Sequence, residues 1–301
     1  MNVSAKSGKI KGLCSVIIVN FNAGAFLADC VQSVLSSTQP VEILVVDNAS
    51  VDNSLRVMAE RTGNDPRVLI IRNKRNIGFA AAANLGLVRV QGKRVLFLNP
   101  DCIIQPDTIY RMNEVLDRYP DAAMAGPVIL NPDGTEQEGA RRTIPTPWRS
   151  FVRAFGLSRL FHDFLLNKDS LPDEPVSVEA ISGSFMFVRQ SAIEDAGPLD
   201  DGYFLHCEDL DWCVRFGRKG WKILFVPGIS VKHYKGACSI NRPVFVEWQK
   251  HKGMIRFYKK IFRRQYPLAL MGLVIFGVWF RFSAIALLFL ARRIINGIKQ
   301  K

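Results

Sequence analysis

The sequence predicts an α/β protein with a parallel β-sheet covered by helices, and two regularities of the first 120 residues lead to that prediction. Four short apolar runs, rich in Val, Ile and Leu, occupy residues 15–19, 42–46, 67–71 and 94–98. Such runs are typical of strands that are buried on both faces. The intervening segments, about 24–37, 52–62, 78–91 and 106–118, are long enough to form crossover helices.

Polar residues follow each of these four strands. They are Asn20-Phe-Asn22, Asp47-Asn-Ala-Ser50, Arg72-Asn-Lys-Arg-Asn76 and Asn99-Pro-Asp101. Ligands of open α/β sheets bind beyond the carboxyl ends of the strands. Loops are polar in general, so one such segment means little, but four at one edge of a sheet favour a binding site.

The alternation of apolar strands and helical segments is less regular after Pro120. Residues 140–176 contain four prolines and no clear period, which predicts a long, partly mobile insertion and a candidate lid on the acceptor side. Order returns with a strand at 185–188, a helix from about Glu208 and a strand at 222–226. The sequence contains no evident internal repeat.

The positive charge of the chain lies at one end. The net charge is +13, and twelve Lys or Arg residues with no Asp or Glu lie between Trp248 and Lys301, which leaves 28 basic against 27 acidic residues before them. Nucleic acid is therefore not expected as a partner, because the charge is confined to an apolar tail and the first 247 residues are close to neutral.

The cysteines and the N-terminal region indicate the compartment. The six cysteines include no CxxC pair, which fits neither a zinc site nor a disulfide framework and favours a reducing cytosol. The first apolar run, 14–19, is too short for a secretory signal. The bulk of the protein is expected to face the cytoplasm.

The basic end also contains an apolar segment. Residues 268–290 include fourteen Leu, Ile, Val or Phe residues, and Arg281 is their one charge. This composition favours partition into a membrane, and the length would just cross a bilayer. Basic residues flank both ends, at 250–264 and 292–301, and both flanks prefer the cytoplasmic side. We therefore expect a re-entrant or interfacial anchor rather than a single span, with a core helix or an oligomer interface as the alternative.

Individual residues at the strand ends suggest contacts with a nucleotide. Asp47 is suited to accept a hydrogen bond from a nucleobase N–H or a ribose hydroxyl, whereas Ser50 and Asp52 can cap the next helix. Arg75 and Gly78 stand at a helix start, where a phosphate is favoured. Helix packing alone would explain the alanines at 80–83 but neither Arg75 nor Asn84.

Three acidic residues suggest catalysis. Asp101 after a strand could bind Mg²⁺ or Mn²⁺ beside a diphosphate, although a plain turn before a helix cap near Asp107 would also explain it. Glu208 and Asp209 open a helix, where one of them could act as a general base, since adjacent carboxylates raise each other's pKa. A lone histidine such as His233 is more often a packed or surface residue than a ligand.

Together and in this order, the segments resemble the inverting glycosyltransferases of family 2, which have the GT-A fold, and among them the bacterial rhamnosyltransferase-like branch. The resemblance covers residues 13–240. It rests on segments 16–22, 45–50, 76–84, 99–101, 183–184, 197–200, 208–212 and Pro227 with His233. It implies a nucleotide-sugar-binding half at 13–120, an acceptor and catalytic half at 121–240, and a membrane-associating tail at 241–301.

The resemblance implies a role for each site residue. Asp209 would be the catalytic base with Glu208 beside it, and Asp101 and His233 would ligate Mg²⁺ or Mn²⁺. The residues implied in donor binding are Asn20, Asp47, Arg75, Asn76, Gly78, Asn84 and Asn99. One departure matters, because the metal motif of the family often has two aspartates and Asn99 takes the first place here. An amide oxygen is a weaker ligand than a carboxylate.

The resemblance further implies an inverting transfer of L-rhamnose from dTDP-rhamnose, or of another sugar from a dTDP- or UDP-linked donor, to a saccharide hydroxyl. A polyprenyl-diphosphate-linked acceptor and a place at the cytoplasmic face of the plasma membrane would follow. Transfer of a hexose or N-acetylhexosamine from a UDP- or GDP-sugar is the nearest alternative. A nucleotide-sugar-binding protein without activity is another. A nucleotidyltransferase is disfavoured, because no glycine-rich phosphate loop is present near the N-terminus.

Overall fold

The computed structural model describes residues 12–154, 170–236 and 242–299. The first half alternates strands and helices: β1 (Cys14–Asn20), α1 (Phe26–Leu35), β2 (Val41–Asp47), α2 (Ser54–Thr62), β3 (Val68–Arg72), α3 (Phe79–Leu87), β4 (Arg94–Leu98), β5 (Cys102–Ile103), α4 (Thr108–Arg118) and β6 (Ala122–Leu130). The four predicted strands and four predicted helices of this half are therefore all present, with ends that differ by at most four residues.

The second half is less regular. Its elements are β7 (Arg141–Arg142), α5 (Pro147–Ala154), β8 (Val176–Val178), β9 (Ala180–Ile181), β10 (Phe185–Arg189), α6 (Gln190–Ala196), α7 (Glu208–Arg218), β11 (Lys222–His233), α8 (Pro243–Phe262) and α9 (Leu268–Lys299). The region predicted as a lid contains β7, α5 and β8, and its residues 155–169 lie outside the described part of the chain.

One mixed sheet organises the molecule, and the predicted α/β class is confirmed. Its strand order is β3-β2-β1-β4-β10-β6-β11-β5, with β8 paired to β11, while β7 and β9 form a separate two-stranded sheet. Strands β1 to β4 are mutually parallel where they pair. Strand β10 lies antiparallel between β4 and β6. It therefore joins the part of the sheet formed by β1 to β4 to the second half.

Helices cover both faces of the sheet. Residues of α1, α2 and α4, such as Val31, Met58 and Met112, pack on one face. Residues of α3, α6, α7 and α8 pack on the other, where the edge of the fully buried Trp212 meets Phe97 with ring centroids 5.1 Å apart. Strands β1, β2 and β4 are buried as predicted. The prediction is wrong for β3, which lies at the edge of the sheet and leaves Leu69 51% exposed.

The last strand differs from its predicted form. We expected a strand at 222–226 and a turn at Pro227-Gly228, with His233 in the following loop. Instead β11 continues to His233, and its pairing with β6 is irregular between Val226 and Ser230. A bulge of this kind accommodates Pro227, which has no N–H for the ladder, and lets the strand continue beyond it. His233 is thus held by the sheet.

The predicted tail consists of two helices with different surroundings. Five buried side chains of α8 pack on the globular body, namely Ile255, Phe257, Tyr258, Ile261 and Phe262. Lys260 of α8 also contacts the buried carboxylate of Asp211 at 2.7 Å. Helix α8 therefore belongs with the globular body, although the sequence grouped it with the apolar segment.

Helix α9 is a single uninterrupted helix, and its segment Leu268–Ala291 is long and apolar enough to cross a membrane. The predicted re-entrant form is wrong, because the helix continues through Arg281 and the chain does not turn back there. The side chain of Arg281 is exposed. The core-helix alternative is also wrong. Leu268, Leu273, Phe276 and Phe280 are each more than 60% exposed.

Candidate active site

The pairing of two short strand segments brings Asp101 and His233 together. Strand β5 pairs antiparallel with the end of β11, so that Cys102 lies opposite His233. The Tyr234 N–H donates to the carbonyl oxygen of Asp101 at 2.9 Å. Nε2 of His233 lies 3.2 Å from Oδ1 of Asp101, and both side chains are buried. The sequence named both residues, and the sheet register places them in contact.

Gln137 fixes the orientation of the His233 ring. Its Nε2 donates to Oδ1 of Asn131 at 3.0 Å, which leaves Oε1 to accept the Nδ1–H of His233 at 2.7 Å. In the neutral ring the lone pair then lies on Nε2, the nitrogen beside Asp101. A histidine that ligates a metal usually has its other ring nitrogen held in this way.

These groups can hold a divalent cation. One ligand atom from each of Asp101, Cys102 and His233 lies within 4.8 Å of the others. A carboxylate oxygen and an imidazole nitrogen suit Mg²⁺ or Mn²⁺ better than a thiol does. Within the described residues the side chain of Asn99 makes no hydrogen bond, so its amide oxygen is available as a further, weaker ligand.

Asp209 is held by two partners at the start of α7. Cys207, the residue just before α7, adopts a left-handed conformation with φ 70°, which turns the chain into the helix. Oδ2 of Asp209 accepts hydrogen bonds from Nη2 of Arg142 at 2.5 Å and from the N–H of Gly183 at 3.1 Å. Arg142 lies on β7, in the region predicted as a lid, and sequence reasoning did not identify it.

Glu208 has a different environment from Asp209. Burial, and then the charge of Asp209, raise the pKa of Glu208 to about 8. Its Oε2 is buried and has no hydrogen-bond partner in the described chain. The two adjacent carboxylates are therefore not equivalent, because Asp209 is paired with a cation and Glu208 favours its protonated form.

The segment Gly183-Ser184 connects the loop of Asp101 to Asp209. Because β10 pairs with β4 from Phe185 opposite Leu98, Ser184 lies beside Asn99, whose N–H donates to the Ser184 carbonyl at 2.9 Å. The neighbouring Gly183 donates to Asp209. A Cβ on Gly183 would lie 3.3 Å from Cβ of Asp209. The antiparallel strand thus sets the loop of Asp101 next to Asp209.

Asp47 lies at the end of β2 within a buried polar network. Its Oδ1 accepts from Nδ2 of Asn20 at 2.8 Å, and its Oδ2 accepts from the N–H of Ser50 at 3.3 Å. Asn20 is fully buried, and its Nδ2 also donates to Oγ of Ser50 at 3.0 Å and Oγ of Ser54 at 2.9 Å. The predicted local role of Asp52 is confirmed, because its carboxylate accepts from the N–H of Ser54 at the start of α2.

Asn48 organises the loop before α3, and sequence reasoning did not single it out. Its Nδ2 donates to Oδ1 of Asn76 at 2.9 Å and to the carbonyl of Gly78 at 3.1 Å. Its Oδ1 accepts from Nδ2 of Asn73 and from the N–H of Ile77. Asn76 is therefore engaged within the loop. Arg75 is exposed and makes no hydrogen bond or ion pair among the described residues.

Gly78 and Asn84 connect α3, and the loop before it, to the loop that leads into α7. Gly78 has φ 89°, and a Cβ there would lie 2.6 Å from the carbonyl oxygen of Phe204, so only glycine fits. The side chain of Asn84 exchanges two hydrogen bonds with the backbone of Leu199, at 2.8 and 3.2 Å. The structure thus gives Asn84 the role of joining α3 to the loop that leads into α7.

Asp211 has a structural role and pairs with a residue one turn further along α7. Its Oδ2 accepts from Nε of Arg215, four residues further on, at 2.8 Å. Lys260 reaches it as well, at 2.7 Å, and also contacts Asp200 at 2.7 Å. Two of the basic residues assigned to the tail, Arg256 and Lys260, are thus paired with Asp200 inside the globular body.

The mixed sheet has polar residues at its strand ends, around a buried Asp–His pair, and a helix beside it begins with two carboxylates. Together these features define a GT-A glycosyltransferase. The model of the family described as "Glycosyl transferase family 2" matches residues 15–196. The chain belongs to this family and is a glycosyltransferase.

The relatives found by sequence include rhamnosyltransferases. The chain is 28% identical over 262 residues to an N-acetylglucosaminyl-diphospho-decaprenol L-rhamnosyltransferase of Mycobacterium tuberculosis (strain ATCC 25618 / H37Rv), across 80% of this chain and 82% of that protein. It is 27% identical to rhamnosyltransferase WbbL of Escherichia coli (strain K12), across 52% of this chain and 61% of that one.

Solved structures agree on the fold. The mannosyltransferase PcManGT of Pyrobaculum calidifontis, solved with GDP-Man and Mn²⁺, matches with a TM-score of 0.58 at 14% identity, over 87% of this chain and 67% of that one. GalNAc-T7, solved with UDP, GalNAc and Mn²⁺, matches with a TM-score of 0.56 at 21% identity, over 73% of this chain and 43% of that one.

Proposed function

We propose that this glycosyltransferase transfers L-rhamnose, with inversion, from dTDP-rhamnose to a hydroxyl of a polyprenyl-diphosphate-linked saccharide in the synthesis of a cell-surface polysaccharide. One observation of the structure supports the site most strongly: Gly183-Ser184 contacts Asp209 on one side and the loop of Asp101 on the other. The name and the extent of the mycobacterial relative support the choice of sugar and of acceptor.

The donor is proposed to lie along the ends of β1, β2 and β4. Asp47 is buried at the end of β2, where a carboxylate oxygen can accept the ring N–H of thymine or uracil. Asn20 holds Asp47, while Asn76 and Gly78 shape the adjacent loop. Arg75 is exposed beside that loop and is the cation proposed to face the diphosphate.

Asp101 and His233, with Asn99 beside them, are the residues proposed to hold Mg²⁺ or Mn²⁺. Such an ion would neutralise charge that develops on the departing nucleoside diphosphate. Gln137 keeps Nε2 of His233 available for this task. The oxygen and nitrogen donors, both buried, fit a hard divalent cation.

Asp209 is the proposed general base, and Glu208 is its neighbour. Inverting transfer requires a carboxylate that accepts the proton of the attacking hydroxyl as the oxygen bonds to the anomeric carbon and the diphosphate departs. The ion pair with Arg142 orients the Asp209 carboxylate, as this role requires. Glu208, whose pKa is raised, is a poorer acceptor at neutral pH and contributes to the environment of Asp209.

Membrane association is part of the proposal. The apolar helix α9 and the basic residues around it would hold the enzyme at the cytoplasmic face of the plasma membrane, where lipid-linked acceptors are found. Nucleic acid is not a proposed partner.

Assaying matched donors with one acceptor tests the choice of sugar. Purified protein would be incubated with N-acetylglucosaminyl-diphospho-polyprenol, Mg²⁺ or Mn²⁺ and either dTDP-rhamnose, UDP-N-acetylglucosamine or GDP-mannose. We expect a lipid-linked disaccharide only with dTDP-rhamnose. Product with another donor would replace rhamnose by a hexose or N-acetylhexosamine, the alternative suggested by the ligands of the two solved neighbours. No transfer from any of these donors would contradict this choice of donor and acceptor.

A further inference from the structure

Helix α9 has a continuous exposed apolar face. Leu273, Phe276, Phe280 and Leu287 are between 65% and 68% exposed, and we call these four residues the lipid face. Their spacings of three, four and seven residues put them on one side of a helix. Arg281 is about 100° around the helix from Phe280, so it lies beside this face and not at its centre.

The opposite side of α9 packs on α8. Met271 and Val278 are 5% and 8% exposed and belong to the core of the globular body. The Trp279 ring lies 4.9 Å from that of Trp248, and the Phe282 ring lies 5.3 Å from it, measured between centroids. One half of the α9 circumference is therefore covered by protein and the other is open.

Helix α8 is fixed to the globular body on its other side. A Cβ on Gly253 would lie 2.7 Å from the carbonyl oxygen of His206, so the helix backbone directly contacts the loop before α7. Tyr258 and Phe262 are buried in the same core. Because α8 is anchored here and α9 packs on α8, the first half of α9 is held against the catalytic body.

This arrangement disfavours a helix surrounded by lipid. The contacts of α9 with the body extend from Met271 to Phe282, about 16 Å along its axis, which is half of the hydrocarbon thickness of about 30 Å. Lys252 and Lys259 are exposed and lie on the same side of α8 as Trp248, next to the contact between α8 and α9. A crossing orientation would draw these charges into hydrocarbon at high cost.

We infer that α9 lies in the plane of an anionic bilayer, with the lipid face in the hydrocarbon and α8 between the bilayer and the catalytic body. An in-plane helix places one apolar face in the hydrocarbon, and the exposed Leu270, Leu288 and Leu290, which lie to either side of the lipid face, would border it there. From Trp248 onward the chain has twelve basic and no acidic residues, and the exposed Lys252, Lys259, Arg263 and Arg264 adjoin the helix. These cations match anionic headgroups and would repel the same surface of a second copy.

The depth of three lipid-face residues in vesicles distinguishes the orientations. Bimane would be attached to single introduced cysteines, L273C, F280C and L287C, and quenched by nitroxide lipids labelled at graded depths, with the parent protein as the labelling blank. We expect equal depths for all three residues. A crossing helix would instead separate Leu273 from Phe280 by about 10 Å and from Leu287 by about 20 Å, and that gradient would overturn the inference.

Charge substitutions test the partner without relying on transferase activity. F276E/F280E should lose at least tenfold in binding to vesicles of phosphatidylglycerol and phosphatidylcholine, while L69E/V88E, which changes two exposed residues elsewhere, should bind like the parent protein. Pure phosphatidylcholine should bind the parent protein less. Equal binding by all variants, or a parent protein that forms dimers through α9 and ignores vesicles, would contradict the inference. Because it rests on the proposed membrane association and not on the reaction, a failed donor assay leaves this result unaffected.

Discussion

At the scale of single residues, the acidic groups of the site were predictable and their partners were not. Asp47 and Asp101 end apolar strands, and Asp209 opens a helix, which are local signals. Arg142 is 67 positions from Asp209, and Gln137 is 96 positions from His233, so neither contact has a local signal in the sequence. The sequence indicated the candidate chemical groups, whereas the groups that orient them follow from the tertiary structure.

Removing the Gln137 side chain should weaken metal binding. Q137A deletes the acceptor that orients His233, and outer-shell losses of this kind usually reduce metal affinity by about 10- to 100-fold. Titration of Mn²⁺ in the presence of dTDP, followed by electron paramagnetic resonance, measures this affinity directly. The exposed Gln105 offers the control Q105A, which should bind like the wild type. Identical titrations for Q137A and the wild type would remove His233 from the metal site.

Glu208 should make stability depend on pH. Because the pKa of Glu208 is raised in the folded protein, its contribution to stability is complete below the unfolded value near 4.5 and is lost as the pH rises through about 8. E208Q cannot ionise and should escape this loss. By about pH 9 it should gain roughly 3 to 5 kcal/mol on the wild type in urea unfolding, with little difference at about pH 5.

The control for this prediction is E194Q, which neutralises an exposed carboxylate on α6. Its stability should follow the wild-type curve at every pH. If E208Q also followed the wild-type curve, the buried carboxyl would not be protonated in the folded protein at neutral pH.

At the scale of elements, α8 is the main difference between expectation and structure. Because its basic residues lie next to an apolar segment, the sequence predicted that this helix would belong to the membrane-associating tail. However, His251, Ile255, Tyr258 and Phe262 recur at spacings of four, three and four residues, which is the period of a helix that buries one face, and all four are buried. This period was the available signal that α8 packs on the body.

Lys260 should contribute measurably to the docking of α8. K260M removes the cation shared by Asp200 and the buried Asp211, and leaves Arg256 and Arg215 as their respective partners. We expect a loss of about 1–2 kcal/mol in the free energy of unfolding, discounted because Lys260 is partly exposed. K259M changes the adjacent exposed lysine and should cost much less. Urea unfolding of both variants measures these losses of stability. Equal losses for K260M and K259M would contradict a specific role for Lys260.

At the scale of the whole molecule, the local part of the fold was predictable and the pairing across the chain was not. Strands β1 to β4 and their helices follow from apolar runs and spacing. The insertion of β10 antiparallel between β4 and β6 depends on residues about 90 positions apart, and no short pattern encodes it. This insertion places Gly183-Ser184 between Asp101 and Asp209 and so assembles the site from distant segments.

The role proposed for Asp209, in the setting made by Arg142 and Gly183, is the proton transfer of glycosyl transfer. It is tested most directly by single-turnover transfer of rhamnose to the polyprenyl-diphosphate-linked acceptor by the wild type, D209N and the control D201N, which alters an exposed carboxylate nearby. We predict that D209N folds like the wild type yet loses about 10²- to 10⁴-fold in rate, while D201N stays near the wild-type rate. A D209N variant that transfers rhamnose at close to the wild-type rate would contradict the claim.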